Sequence, residues 1–184
     1  LKACVDFGIN RFVFSSSSSV YGDTDKFPTP EDSSLNPISP YALHKLIGEQ
    51  YCKLFSTLYD IDTVSLRYFN VYGDRMALDG AYRLAIPIFA TQIKEGKPCT
   101  INNDGNQKRD YTYVGDVVNA NILSATNPDN FNGDVYNVGN GNNVSVNEPF
   151  ETLANNSKIR KDLNWKPNGD LKKWIDIYME KINA

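Results

Sequence analysis

Short apolar runs of strand type alternate with longer stretches of helical period along this sequence, and few folds are open to a chain built that way. Arg11 to Phe14 reads as a buried strand, as do Thr63 to Phe69 ("TVSLRYF") and Val135 to Val138. Ser39-Pro40 opens a helix, with serine as N-cap and proline at the first helical position. That helix runs to Tyr59 and carries Leu43, Ile47, Tyr51, Leu54, Phe55 and Leu58 on one stripe. Helical patterns also cover Leu84 to Glu95, Gly115 to Thr126, Asn156 to Asn164 and Leu171 to Asn183. Thr100 to Asn102 suits a short strand before the turn "NDGN". Strands alternating with helices predict an α/β layered fold with a parallel sheet. In such sheets ligands gather at the carboxyl ends of the strands.

Directly after "RFVF" stand five serines, Ser15 to Ser19, before Val20-Tyr21 restores apolar character. The run is too short for a flexible linker and reads as a shelf of hydroxyls at a strand end. Downstream, in "SPYALHK", Tyr41 and Lys45 are four residues apart near a helix start, so they share one face. A phenol of pKa about 10 is a poor base at neutral pH, but a neighbouring ammonium favours its charged form. Such a pair alone is a weak signal, since exposed pairs of this spacing are common. A serine strand end just upstream makes it specific: a hydroxyl there can share a substrate oxygen with the phenol and relay its proton.

Composition removes several alternatives. A chain of 184 residues with net charge −3 and no basic cluster is a poor ligand for nucleic acid or anionic membrane. No apolar run approaches the roughly 20 residues a spanning helix needs, and Leu1-Lys2-Ala3-Cys4 does not begin a signal peptide. Cys4, Cys52 and Cys99 are too scattered for a disulfide framework or a zinc pattern, which points to a reduced, cytoplasmic setting. His44 is the only histidine, so a multi-histidine metal site is excluded, and it reads as an exposed helix residue.

The stretches "RFVFSSSSSVYGD", "NPISPYALHKLIGEQY", "VSLRYFNVYGDR", "GAYRLAIPIF", "DGNQKRDYTYVGDVVNA", "VYNVGNG" and "LNWKP" together resemble the extended short-chain dehydrogenase/reductases, and within them the nucleotide-sugar epimerases. The resemblance implies a Rossmann-like parallel sheet, here its C-terminal half, with a small substrate-binding subdomain. It implies NAD as cofactor, a UDP-sugar as substrate and a homodimer for the full-length family. Ser17, Tyr41 and Lys45 fall where the family keeps its catalytic hydroxyl, base and lysine. Ser15, Ser16, Tyr41, Lys45, Tyr68 and Phe69 fall at cofactor-binding positions. Ser17, Asn70, Thr100, Asn102, Arg109 and Thr152 fall at substrate-binding ones. For Tyr68 and Phe69 core packing is the competing reading; for Asn70 it is a strand-end cap, and for Arg109 an exposed loop charge. Thr152 matches a position whose small side chain admits N-acetylated sugars, with a surface residue as the alternative.

Relatives that eliminate water carry an Asp-Glu pair where this chain has Ser18 and Ser19, which favours 4-epimerisation of UDP-glucose/UDP-galactose or of UDP-N-acetylglucosamine. A dehydratase or reductase of the same family, and a non-catalytic remnant that binds a nucleotide sugar, are the alternatives. Two departures from the family pattern support the last. The glycine-rich strand–turn–helix that cradles the dinucleotide pyrophosphate is absent, and "VSVNE" runs straight into "PFETLANNSKIRKDLNWKP" where the family inserts further elements. The expectation is therefore a fragment forming a single incomplete domain over 1–184. Residues 1–70 and 111–140 would be the remainder of the NAD-binding part, and 71–110 and 141–184 the substrate-binding part.

Overall fold

The computed structural model describes residues 1–76, 85–100, 108–145 and 153–183. A short helix α1 (Lys2–Asp6) leads into β1 (Arg11–Ser17), a 3-10 turn at Ser18–Tyr21, and the long helix α2 (Pro40–Leu58). Then come β2 (Asp62–Tyr68), β3 (Val71–Tyr72), α3 (Ala85–Lys94), β4 (Lys108–Asp110), β5 (Thr112–Tyr113) and α4 (Val114–Thr126). The chain continues through β6 (Asp134–Val138), β7 (Asn143–Ser145), α5 (Ser157–Leu163) and α6 (Leu171–Asn183).

Three strands form a parallel sheet in the order β1-β2-β6. Ser17 pairs with Tyr68, and Tyr68 with Val138, so the three carboxyl ends finish at one level. The predicted α/β class and parallel sheet are what this chain forms. Strand β1 continues past the predicted Phe14 to Ser17, so the first three serines are strand residues and the last two begin the turn. Ser39 caps α2 as expected, its Oγ accepting from Ala42 N at 3.1 Å. The strand predicted at Thr100 to Asn102 is not present at Thr100, and residues 101–102 lie outside the described set.

Alternation along β2 separates the two faces of the sheet. Val64 and Leu66 point to one side, where they meet Val117 and Ala120 of α4, Tyr136 and Val138 of β6, Ile159 and Leu163 of α5, and Trp165 in the main core. Thr63 and Arg67 point to the other, toward α2: Thr63 Oγ1 donates to Cys52 O at 2.7 Å and Arg67 reaches Glu49. That side mixes the polar Thr63 and Arg67 of β2 with Phe12 and Phe14 of β1, which meet Gly48, Cys52 and Phe55 of α2. Most of the stripe predicted as an apolar packing face is turned outward, from Leu43 at 47% exposed to Leu58 at 62%, and of its members only Phe55 is half-buried. The face on the sheet carries Ala42, Glu49 and Cys52. Gly48 permits the approach, since a Cβ there would stand 2.3 Å from the Phe14 ring.

A second, smaller core joins Tyr72, Ile86, Tyr111 and Trp174, with Trp174 stacked on Tyr178 at 4.7 Å between ring centroids. It fastens α3 and α6 beside the paired strands β3 and β5, next to the carboxyl end of the sheet.

Candidate active site

A cleft of about 1060 Å³ opens at the carboxyl ends of β1 and β2. Four segments line it: Ser16 to Ser19, the loop Gly22 to Asp25 with Phe27, the start of α2 with Ile38, Ser39 and Tyr41, and Tyr68 with Asn70 and Val71. Arg109, on β4, closes the wall. The loop is aimed by Gly22, whose φ of +62° ends the 3-10 turn and whose missing Cβ leaves room for Asn36 O, only 1.9 Å from where it would stand.

The serine run proves to be three kinds of serine. Ser17 Oγ accepts from Ser19 N at 3.2 Å and from Ser19 Oγ at 3.0 Å. With its acceptor sites occupied, that hydroxyl keeps its own proton to donate toward the cleft. Ser16, expected at the cofactor, lines the cleft but is buried, and its hydroxyl donates to the Glu49 carboxylate. Ser15 shares a bond with Tyr68 OH at 3.0 Å and gives its carbonyl to Lys45 Nζ at 2.8 Å. The Lys45 ammonium also stands 5.5 Å from the Tyr41 ring centroid. Tyr41, at 43% exposed, presents its ring to the cleft.

Tyr68 is half-buried, its hydroxyl bonded to Asn121 at 2.9–3.0 Å, and it reaches the cleft. Phe69 is not among the lining residues: it is buried against Val20, Tyr21, Ala154 and Leu46, so core packing accounts for its side chain. Asn70 lines the cleft and also donates from Nδ2 to Asp110 O at 2.9 Å, which ties β2 to β4. Thr100 is exposed beyond α3 and bonded to Gln92, outside the lining of the cleft. Asn102 and Thr152 lie outside the described residues. Glu49 and Arg67 have no role in the sequence reading, and Asp110 none beyond adding bulk beside Arg109; a charged residue inside an apolar strand, as Arg67 is in "VSLRYF", is the available signal.

Residues 1–139 match the NAD dependent epimerase/dehydratase family. The chain belongs to that family. It is 36% identical over 193 residues to a putative UDP-glucose 4-epimerase of Methanocaldococcus jannaschii, covering 92% of this chain and 62% of that protein. Among solved structures, UDP-glucose 4-epimerase from Thermotoga maritima with UDP-glucose superposes with TM-score 0.88 at 30% identity, over 98% of this chain and 66% of that one. UDP-glucuronic acid 4-epimerase from Bacillus cereus, in complex with UDP-glucuronic acid and NAD, gives TM-score 0.86 at 29% identity, over 98% and 65%. The chain thus spans just under two thirds of the length of these relatives.

In this epimerase/dehydratase family member no helix among the described residues is long and apolar enough to cross a membrane. Beside the cleft, Asp110 is fully buried and accepts backbone N–H groups from Asn140 at 2.8 Å and from Gly141 and Ala154 at 3.0 Å. Burial outweighs those bonds and pushes its carboxyl from 3.8 up to about 6. A raised acid pKa contributes stability below the unfolded value and loses it as pH rises through the folded one. Relative to Asp110→Asn, the wild type should therefore lose roughly 2–3 kcal/mol between about pH 4 and pH 7. Melting temperatures of both proteins across that range test this; a constant gap between them would place the titration elsewhere.

Proposed function

We propose that the full-length protein carrying this chain is an NAD-dependent 4-epimerase of UDP-sugars, acting on UDP-glucose/UDP-galactose or UDP-N-acetylglucosamine. The observation that carries the reading is the convergence of a proton-donating Ser17, the Tyr41 phenol and Arg109 on one cleft, with Lys45 beside Tyr41. The residues present fit the nicotinamide–ribose end of NAD. Lys45 gives one bond to Ser15 O and, as an ammonium, has further donors for a ribose diol, while Tyr68 offers a half-buried ring beside it. Bound there, NAD supplies hydride acceptance and return.

The chain's own residues do the rest. Ser17 donates its hydrogen bond to the sugar oxygen that Tyr41 deprotonates, and Tyr41 returns the proton when the carbonyl is reduced. The Lys45 ammonium provides positive charge beside the phenolate that forms. Arg109 faces the diphosphate as a planar fork matched to its oxygens. Ser18 and Ser19 cannot supply the acid and base that loss of water requires, which favours epimerisation over elimination. The carboxylates of Asp23 and Asp25 in the cleft lining favour a neutral sugar over a uronic acid. We assign residues 1–70 and 111–140 to the cofactor-binding part and the remainder to the substrate-binding part. We also place the protein in the cytoplasm as a homodimer, for which the outward apolar stripe of α2 is the support.

Incubating the full-length protein with NAD and each UDP-sugar tests the proposal. Interconversion of the 4-epimers by chromatography is expected, and no conversion of either pair would overturn it. Arg109→Ala should weaken UDP binding by about 30-fold, the ~2 kcal/mol of a lost charged contact, with NAD affinity unchanged. Titration calorimetry with UDP is the measurement, and equal affinities would take Arg109 out of the site.

A further inference from the structure

Beneath the cleft lies a buried ion pair with no part in the acid–base chemistry just described. Arg67 grips both oxygens of Glu49, Nε at 2.9 Å and Nη2 at 2.7 Å, with the two side chains 3% and 4% exposed. The other Arg67 nitrogen donates to Tyr21 OH at 2.8 Å and to Glu31 O at 3.0 Å. Tyr21 OH in turn donates to Asn137 Oδ1 at 2.6 Å on β6, its phenol pushed up to about 12 mainly by burial and so kept protonated. Glu49 also accepts from Ser16 Oγ.

What the pair touches is more informative than its strength. Ser16 precedes Ser17 on β1, Glu49 follows Lys45 by one helical turn and Tyr41 by two, and Arg67 precedes Tyr68 on β2. The three elements that bring Ser17, Tyr41 and Tyr68 to the cleft, β1, α2 and β2, are therefore anchored to one guanidinium–carboxylate fork. Burying such a pair is often no more stabilising than apolar residues of similar volume, so its use here calls for another reason. A planar fork fixes distance and angle between its elements, which greasy packing does not.

We infer that the Glu49–Arg67 pair is a positioning device that sets the spacing of the Ser17 hydroxyl and the Tyr41 phenol. The inference rests on the epimerase reading above. Misplacing reacting groups by about 1 Å can cost on the order of 100-fold in rate. Arg67→Lys keeps the charge but loses the fork, so turnover should fall at least about 10-fold with KM held within about twofold. Glu49→Gln leaves Arg67 charged without its facing carboxylate, Glu31 being the remaining acid that interacts with it, since an arginine cannot shed its proton. At an effective dielectric near 20 that charge should move the acidic limb of the pH–rate profile down by about half to one pH unit. Glu49→Gln/Arg67→Met removes both charges and should return the limb to its wild-type position.

The three variants, beside Tyr41→Phe, would be assayed in the full-length protein with rates normalised to UDP-binding stoichiometry, which corrects for any unfolded fraction. Loss of turnover in Arg67→Lys together with a reversible limb shift supports the inference. Turnover within twofold of wild type in Arg67→Lys, or an unmoved limb in Glu49→Gln, overturns it. An active Tyr41→Phe would instead sink the epimerase reading itself, so the two failures are distinguishable.

Discussion

Tyr41→Phe in the full-length protein is expected to lower turnover by about 10² to 10⁴ while UDP and NAD still bind. The substitution removes one oxygen and leaves the ring. Contacts that depend on the ring, including the Lys45 ammonium 5.5 Å from its centroid, survive. What disappears is the atom that takes and returns the sugar proton. Ser17 cannot replace it: its oxygen already accepts from Ser19 twice, which leaves a donor but no base. Arg109 and the cleft walls are untouched, so substrate affinity should stay within about threefold, well below the ~1.4 kcal/mol of a tenfold change. Single-turnover rates and UDP titration on the same preparation separate chemistry from binding. A variant holding more than half the wild-type rate would remove Tyr41 from the mechanism and with it the proposed proton route.

Where the hydrophobic pattern was strong, the sequence was a good guide. Strands β1, β2 and β6 and the helices α2, α4, α5 and α6 lie within three residues of their expected ends, because strand runs and capping residues such as Ser39 are local signals. The orientation of α2 was not legible. Its apolar stripe does not say which side meets the sheet: Thr63 and Arg67 of β2 engage Cys52 and Glu49, and the Phe14 ring of β1 leaves room only for Gly48. A stripe shows that a surface will be covered, and does not say by what. The individual serines were equally opaque. Side-chain alternation and the change from strand to 3-10 turn send Ser16 into the core and leave Ser17 facing the cleft, a difference that appears only once Glu49 is in place. Phe69 follows the same rule, an apolar residue at a strand end whose fate depended on the pocket behind it.

Trp165→Ala should be the most destabilising of the single substitutions in the main core, at about 3–5 kcal/mol. Trp165 is fully buried, the largest such side chain among the described residues, and sits just after α5 in the stretch "LNWKP", whose Leu163 ends that helix. Its ring fills the space between α4, α5 and the face of the sheet that carries Val64 and Leu66. The indole Nε1 also donates to Asp116 O at 3.0 Å, while the Asp116 carboxylate accepts Asn168 N at 2.9 Å and Gly169 N at 2.8 Å. The indole and the Asp116 carboxylate together pin the segment that leads into α6 to the first turn of α4. Alanine would leave a cavity that the sheet cannot close, because Val64 and Leu66 are held in register by strands on both sides. Trp165→Phe keeps most of the volume and loses the hydrogen bond, so it should cost only about 1–2 kcal/mol. Urea unfolding of the three proteins gives the comparison, with similar slopes expected because the surface exposed on unfolding is nearly the same. A loss under about 1 kcal/mol for the alanine variant would mean that the main core does not depend on the segment after α5. The small second core around Trp174 would then have to hold α6 in place by itself.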